Sequence, residues 1–329
     1  MITNHIFETV LVDPAKRGAD KLFVASGYAT AAMAFHHLQF LRNINKSIEL
    51  KLIVGMCVLD GLSRTNHKGF QQLMQLDFKQ SFECSYLTNT PAVHSKVYAW
   101  FRGDNPICAF AGSANYTQTA FGAVQREVMT VCDPSLALSY YKSLVSETVF
   151  CVHPEADSLV EIYNDRYYEY LKRVSERPEA AVPSAIPSGP IGLPNVRVSL
   201  LGRSGKVEKR SGLNWGQRPE EHREPNQAYI ALRSEIYRSS FFPKREIHFT
   251  VLTDDNKVLI CTRAQDNGKA IHTPHNNSLI GEYFRNRLGV RSGAPVTSEN
   301  LSRYGRTHVD FYKIDDETYY MDFSVPVNG

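Results

Sequence analysis

The chain has 329 residues, of which 43% are hydrophobic and 22% charged; this excludes a disordered or low-complexity protein and provides apolar material for two cores. No apolar run approaches the roughly 20 residues a membrane-spanning helix needs, and Met1–Pro14 lacks the basic-then-apolar layout of a secretory leader, so a cytoplasmic location is expected. The net charge of +3 says nothing about nucleic acid, but residues 196–245 hold 11 Lys or Arg against 5 Asp or Glu, which suits either a phosphate-binding footprint or a solvated loop face. The six cysteines form no C-x-x-C pair, which argues against structural zinc and for reduced core cysteine.

The first half alternates strand and helix patterns. Lys21–Gly27 is a short apolar run ending in Gly. Thr30–Leu41 carries Met33, Phe35, Leu38 and Leu41 near helical spacing. Ile48–Val54 alternates strictly and predicts a strand. Asn66–Leu76 predicts a helix. Phe82–Leu87, Val93–Phe101, Ile107–Ala111 and Glu127–Cys132 predict strands, and Ser135–Val149 and Ser158–Val174 predict helices. Interleaved strands and helices imply an α/β layered domain. Residues 178–194, PEAAVPSAIPSGPIGLP, contain five prolines, two glycines and two serines, the composition of a semi-rigid linker. Beyond it strands predominate: Val196–Leu200, Ala228–Leu232, Ile247–Leu252 and Val258–Thr262. One helix, Ser278–Arg287, carries Leu279, Ile280, Tyr283 and Phe284. Val309–Ile314 and Thr318–Phe323 predict a hairpin across Asp315–Glu317. The second half therefore reads as a small, mostly-β, barrel-like domain. The expected organisation is 1–175, a linker at 176–194, and 195–329.

The chemistry concentrates in Val93–Asp133. In the extended segment VHSKVYAWF, His94, Lys96, Tyr98 and Trp100 fall on one face and Ser95, Val97, Ala99 and Phe101 on the other. A neighbouring His and Lys form a phosphate-handling pair: Lys supplies fixed charge, and His serves as nucleophile or proton carrier. In Gly112-Ser113-Ala114-Asn115 the glycine permits close backbone approach, while Ser113 and Asn115 can donate to phosphate oxygens. Glu127 opens the next predicted strand, where a carboxylate can orient the His94 ring.

These motifs, HSK and then GSAN about twenty residues further on, resemble the H-x-K…G-S-x-N signature of the phospholipase D (PLD) superfamily. The longer pattern, H-x-K-x-Y-x-W, then GSAN followed by an aromatic, then Q-R-E, resembles the BfiI and NgoFVII-type restriction endonucleases. The resemblance assigns catalytic roles to His94, Lys96, Asn115 and Glu127, with Ser113 as the serine of the turn. It implies an α/β PLD-like layered sandwich for the first half. One position departs: where the wider superfamily has Asp five residues beyond the Lys, this chain has Phe101, and Asp104 is out of register. Glu127 as substitute favours the restriction-enzyme branch over lipid-cleaving members.

The superfamily mechanism uses two histidines, and this chain has a single H-x-K. His36, His37, His67, His153, His272 and His275 lack the Lys and GSAN partners. A homodimer through the amino-terminal domain is therefore expected, with one motif from each copy meeting at a two-fold axis. One His94 would attack phosphorus and the other would act as general acid, with no metal or other cofactor. The resemblance further implies a 3′-oxygen leaving group and a 5′-phosphate product.

The second half resembles the B3-like DNA-binding pseudobarrel of the same enzymes, through the basic entry LGRSGKVEKRSGLNWGQR, the strand pattern and the FRNRLGV helix end. Such domains grip the major groove with two arms. By chain order the first maps to Asn214–Arg218 and the second to Ala264–Asn277. Asn214, Gln217 and Arg218 are of the types that read base edges, beside the large Trp215, which otherwise caps the core. Arg203, Lys206, Lys209 and Arg210 suit phosphates. Asn267, Lys269, His272 and Asn276 are the second-arm candidates; each is otherwise a solvated loop residue. The leading expectation is a metal-independent type II restriction endonuclease acting on double-stranded DNA beside a cognate methyltransferase. The alternatives are a non-specific PLD-like phosphodiesterase and a DNA-binding protein with an inactive nuclease half.

Overall fold

Runs of β-branched and aromatic residues separated by polar turns lay down sixteen strands among the residues the computed structural model describes, which are 1–122, 125–165 and 192–325. The chain divides into two units, Met1–Asn164 and Asp165–Gly329.

The first unit contains β1 (Lys21–Ser26), β2 (Glu49–Val54), β3 (Leu62–Ser63), β4 (Phe82–Leu87), β5 (Lys96–Arg102), β6 (Asn105–Gly112), β7 (Met129–Cys132), β8 (Thr148–Phe150) and β9 (Ile162–Tyr163). Seven form one sheet in the order β7-β6-β5-β1-β2-β4-β8, and β3 pairs with β9 alone. β1, β2 and β4 run parallel. A parallel step needs a crossover, supplied by the helix Ala31–Asn43 and by Arg64–Gln72, which continues as a π-helical turn over Leu73–Asp77. The Thr30 side chain caps the first of these by accepting from the Met33 amide. The parallel strands are covered on both faces, and Leu22, Val24, Leu50, Leu52, Ile53 and Val54 are all buried. The helix Pro134–Val145 packs on one face, Ala137 against Ala99, Phe101 and Ala109, and Tyr141 against Ala25 and Ile53.

Several boundaries differ from expectation. The predicted helix Ser135–Val149 stops at Val145, and Thr148–Phe150 becomes an edge strand on β4; its β-branched residues favour pairing once an open sheet edge is available. The predicted helix Ser158–Val174 is a single turn, Ala156–Leu159, followed by β9, and positions 166–174 lie outside the described residues. Phe7–Lys16 is helical, where no element was expected; its run of β-branched residues hides helical periodicity, yet Val10, Leu11 and Val12 are buried.

The second unit contains β10 (Asn195–Ser199), β11 (Ile230–Ala231), β12 (His248–Thr253), β13 (Val258–Ala264), β14 (Ala270–His272), β15 (His308–Lys313) and β16 (Thr318–Asp322). The order is β10-β15-β16-β12-β13-β14-β11, and the outer strands β10 and β11 approach each other, so the sheet nearly closes into a barrel. The predicted terminal hairpin is present as antiparallel β15–β16. Phe249, Val251, Ile271, Phe284, Phe311 and Tyr319 lie in the core. The helix Ser278–Leu288 buries Ile280, Tyr283 and Phe284 and ends on Gly289 in the left-handed region. A second helix, Ser298–Tyr304, was not expected; its signal is the reciprocal cap between Thr297 and Asn300. β14 falls inside the segment expected to be the second arm, so part of that segment belongs to the barrel wall. Of the expected linker, only residues 192–194 are described, and β10 begins directly after them.

Candidate active site

Strand order brings the first-half motifs to one end of the sheet. In the register, Lys96 on β5 faces Ser26 on β1, Val97 faces Ala111 on β6, and Gly112 faces Met129 on β7. The residues just outside these positions therefore share that end: His94 before β5, Ser113 and Asn115 after β6, and Glu127 before β7. Both flanking strands begin later than expected, β5 at Lys96 and β7 at Met129, which leaves His94 and Glu127 on the connections.

Lys96 is 6% exposed. Its ammonium donates to the His94 carbonyl oxygen at 2.6 Å. Burial pulls its pKa below the ordinary lysine value, opposed by the charge of Glu127. Tyr98 and Trp100 continue the Lys96 face but point into the core, where Trp100 Nε1 donates to the Val10 carbonyl at 2.8 Å. The Tyr98 hydroxyl donates to the Ala114 carbonyl at 2.7 Å and pins the GSAN turn.

Within that turn, Gly112 admits no side chain, because a Cβ there would collide with the Val128 carbonyl oxygen. The Ser113 amide donates to Val128 O at 2.9 Å, and the Val128 amide donates to Ser113 Oγ at 3.0 Å. Ser113 Oγ in turn donates to a Glu127 carboxylate oxygen. Glu127 thus holds Ser113, and not the imidazole as expected. The His94 ring makes no hydrogen bond among the described residues; the Tyr28 ring meets it edge-on at 6.2 Å. Asn115 Oδ1 accepts from the Tyr28 amide at 3.1 Å. The apolar run expected from sequence reaches only to Gly27 and does not include Tyr28.

Two other histidines serve the core of this unit. His37 is buried between the Tyr116 hydroxyl and the Leu11 carbonyl, each at 2.8 Å, and burial lowers its pKa from 6.5 to about 4. His67 bridges the Tyr86 hydroxyl and Asp157, each at 3.0 Å. Among the described residues, no three His, Cys, Asp or Glu side chains converge as metal ligands, and no helix is long and apolar enough to cross a membrane.

The second-half candidates do not converge in this way. Asn214 is buried, and its amide is tied to the barrel: Nδ2 donates to Glu208 O and Val296 O at 3.0 and 2.7 Å, and Oδ1 accepts from the Val296 amide at 2.8 Å. Gln217 donates to Pro225 O and Gly293 O at 2.9 and 3.1 Å. Both were expected to present amide edges to bases; backbone groups of their own domain occupy both amide atoms of Asn214 and the amide nitrogen of Gln217. Arg218 is held by the Arg210 carbonyl and Glu221, and Arg210 pairs with Glu220. Trp215 is half-buried, edge-on to Tyr229, with Arg223 stacked 4.1 Å from its ring centroid. Arg203, Lys206 and Lys209 are exposed and join no ion pair among the described residues. In the second arm, Asn267, Lys269 and Asn276 are exposed. His272 is half-buried with Nδ1 at 2.9 Å from Asn277 Oδ1, and burial lowers its pKa.

Comparison with known proteins agrees with this two-part layout. Residues 4–158 match the NgoFVII restriction endonuclease N-terminal PLD domain, and residues 191–315 match the NgoFVII C-terminal B3-like DNA-binding domain. No curated protein matches the chain. Among solved structures, it is similar to NucT from Helicobacter pylori, with 18% identity, 43% of this chain and 89% of that one covered, and a TM-score of 0.31. It is also similar to Nuc from Salmonella typhimurium, a phospholipase D family member, with 15% identity, coverages of 44% and 89%, and a TM-score of 0.32. For polyphosphate kinase from Porphyromonas gingivalis the values are 12%, 54%, 28% and 0.33. The chain belongs to the NgoFVII-type restriction endonucleases, a PLD-fold nuclease domain joined to a B3-like DNA-binding pseudobarrel.

Proposed function

We propose that this nuclease is a site-specific type II restriction endonuclease that cuts double-stranded DNA through a phosphohistidine on His94, without a metal ion. The observation that carries the reading is the gathering of His94, Lys96, Ser113, Asn115 and Glu127 at one end of the sheet, from strand β5 and from the β4–β5 and β6–β7 connections. A ring nitrogen of His94 attacks phosphorus, forming the N–P bond as the P–O3′ bond breaks. His94 of a second copy protonates the departing 3′ oxygen. Water then attacks the phosphohistidine, giving up its proton to that second histidine, and leaves a 5′-phosphate. Lys96, Ser113 and Asn115 stabilise the five-coordinate state with charge and hydrogen-bond donors fixed beforehand. Glu127 holds the Ser113 hydroxyl and supports the Lys96 charge.

In this reading residues 1–175 form the nuclease and dimerisation domain, 176–194 the tether and 195–329 the reader. Arg203, Lys206 and Lys209 bind phosphates, and Asn267, Lys269 and Asn276 approach base edges. Arg210 and Arg218 are parked on Glu220 and Glu221 until DNA competes for them. The enzyme works in the cytoplasm beside a cognate methyltransferase. The test is end-labelled substrate DNA quenched in alkaline detergent. Wild type should carry acid-labile, alkali-stable phosphate, and His94→Ala should carry none, cleave at least 10⁴-fold more slowly and bind its site within twofold of wild type. Unchanged cleavage by His94→Ala would remove the reading.

A further inference from the structure

Tyr28 stands where three parts of the candidate site meet. It lies two residues beyond the end of β1, and Ser26 Oγ donates to its carbonyl at 2.6 Å while accepting from the Tyr116 amide at 3.0 Å. The Tyr116 amide also reaches the Tyr28 carbonyl at 3.2 Å. The Tyr28 backbone is thereby clamped to the residue that follows Asn115. Three contacts then leave Tyr28 in different directions. Its amide donates to Asn115 Oδ1 at 3.1 Å. Its ring meets the His94 ring at 6.2 Å with an interplanar angle of 84°. Its hydroxyl donates to Asp60 Oδ2 at 2.5 Å.

We propose that Tyr28 is a positioning residue that sets the orientation of both the His94 ring and the Asn115 amide. A backbone N–H can only donate, so the Asn115 atom facing it is the carbonyl oxygen. That assignment turns Nδ2 away as the free donor, the group a phosphate oxygen needs. An edge-to-face aromatic contact is directional, and among the described residues no hydrogen bond fixes the His94 ring, so the Tyr28 ring is a contact that restrains it. The neighbouring Gly27 leaves room for this arrangement: a Cβ there would lie 3.3 Å from His94 Cδ2 and 3.2 Å from Met56 Cγ. The bond from the hydroxyl to the Asp60 carboxylate is charge-assisted and fixes the far end of the ring. Asp60 closes the short helix Cys57–Asp60 after β2, so the ring is anchored to a different strand from the one that carries it.

The role in catalysis rests on the nuclease reading above; the role in orientation does not. Both are tested on the full-length protein with histidine-labelled samples, the His94 signal being assigned by its loss in His94→Ala. In Tyr28→Ala the His94 ring signal shifts, and the single-turnover cleavage rate falls about tenfold or more, the scale expected for a misplaced reactive group. Site-DNA dissociation constant and melting temperature stay within twofold and about two degrees of wild type. Tyr28→Phe, which keeps the ring, recovers the rate to within about threefold and restores the His94 signal. If the alanine variant fails to fold, Tyr28→Leu takes its place. An unshifted His94 signal overturns the proposal, and so does a rate loss matched by an equal loss of DNA affinity, which would put Tyr28 on the substrate. An inactive wild type would sink the nuclease reading, yet the His94 signal would still test the orientation.

Discussion

The two halves hold their candidate residues in opposite ways. In the nuclease half, five polar side chains from strand β5 and two connections gather at one sheet end, and local contacts build a site: Lys96 on the His94 carbonyl, Glu127 on Ser113, Tyr28 on Asn115. In the B3-like half, residues of the right chemical type are divided between two duties. Asn214 and Gln217 hold the barrel together, while Arg203, Lys206 and Lys209 are exposed cations. Covalent chemistry requires several groups around one atom, so it leaves a spacing pattern in sequence. DNA reading requires only that a side chain be available, and availability depends on which backbone groups compete for it.

Lys96→Ala should slow cleavage about 10²–10³-fold with DNA affinity within about threefold, by analogy with loss of one fixed transition-state donor; single-turnover rates decide this, and an unaffected rate would remove Lys96 from the site. His37 should act through stability alone. Its folded pKa of about 4 lies below its ordinary 6.5, so the unfolded chain takes up a proton first as pH falls. The stability present above pH 6.5 is lost progressively down to about pH 4, by roughly 3 kcal/mol in total. Denaturant midpoints across that range check the sign, and a His37 ring signal that protonates near pH 6.5 would contradict it.

Asn214→Ala should destabilise the carboxy-terminal domain by roughly 2 kcal/mol, because it orphans the Val296 amide and two carbonyls. Among molecules still folded, its base preference should be unchanged. A relaxed recognition site with unchanged stability would return Asn214 to the readers. Arg203→Ala with Lys209→Ala should have the smallest effect: affinity lower by about tenfold on any DNA, and a log–log salt slope shallower by about 2. A loss confined to one sequence would make them base readers.

Much of the fold was legible in sequence. Strict alternation at Ile48–Val54 and the apolar runs around it placed the nuclease sheet, and the hairpin at Asp315–Glu317 placed two inner strands of the barrel. Phe7–Lys16 was hidden because β-branched residues mask helical period, and Thr148–Phe150 because its strand exists only by pairing with β4. The positions of His94, Lys96, Ser113, Asn115 and Glu127 were legible through motif spacing. Tyr28 was not, since it joins the site by register across β1 and β5 and through its backbone amide, which carries no sequence signature. Asn214 misled for the complementary reason: an asparagine in a basic, polar stretch looks exposed until Val296, 82 positions away, is folded against it.

The most direct test of the account is plasmid cleavage by purified protein in excess EDTA with no added metal. Discrete fragments, whose ends map to one sequence, are the predicted result. No cleavage in EDTA with activity restored by magnesium would contradict the metal-free mechanism, and random degradation would contradict the assignment of site specificity to the B3-like half.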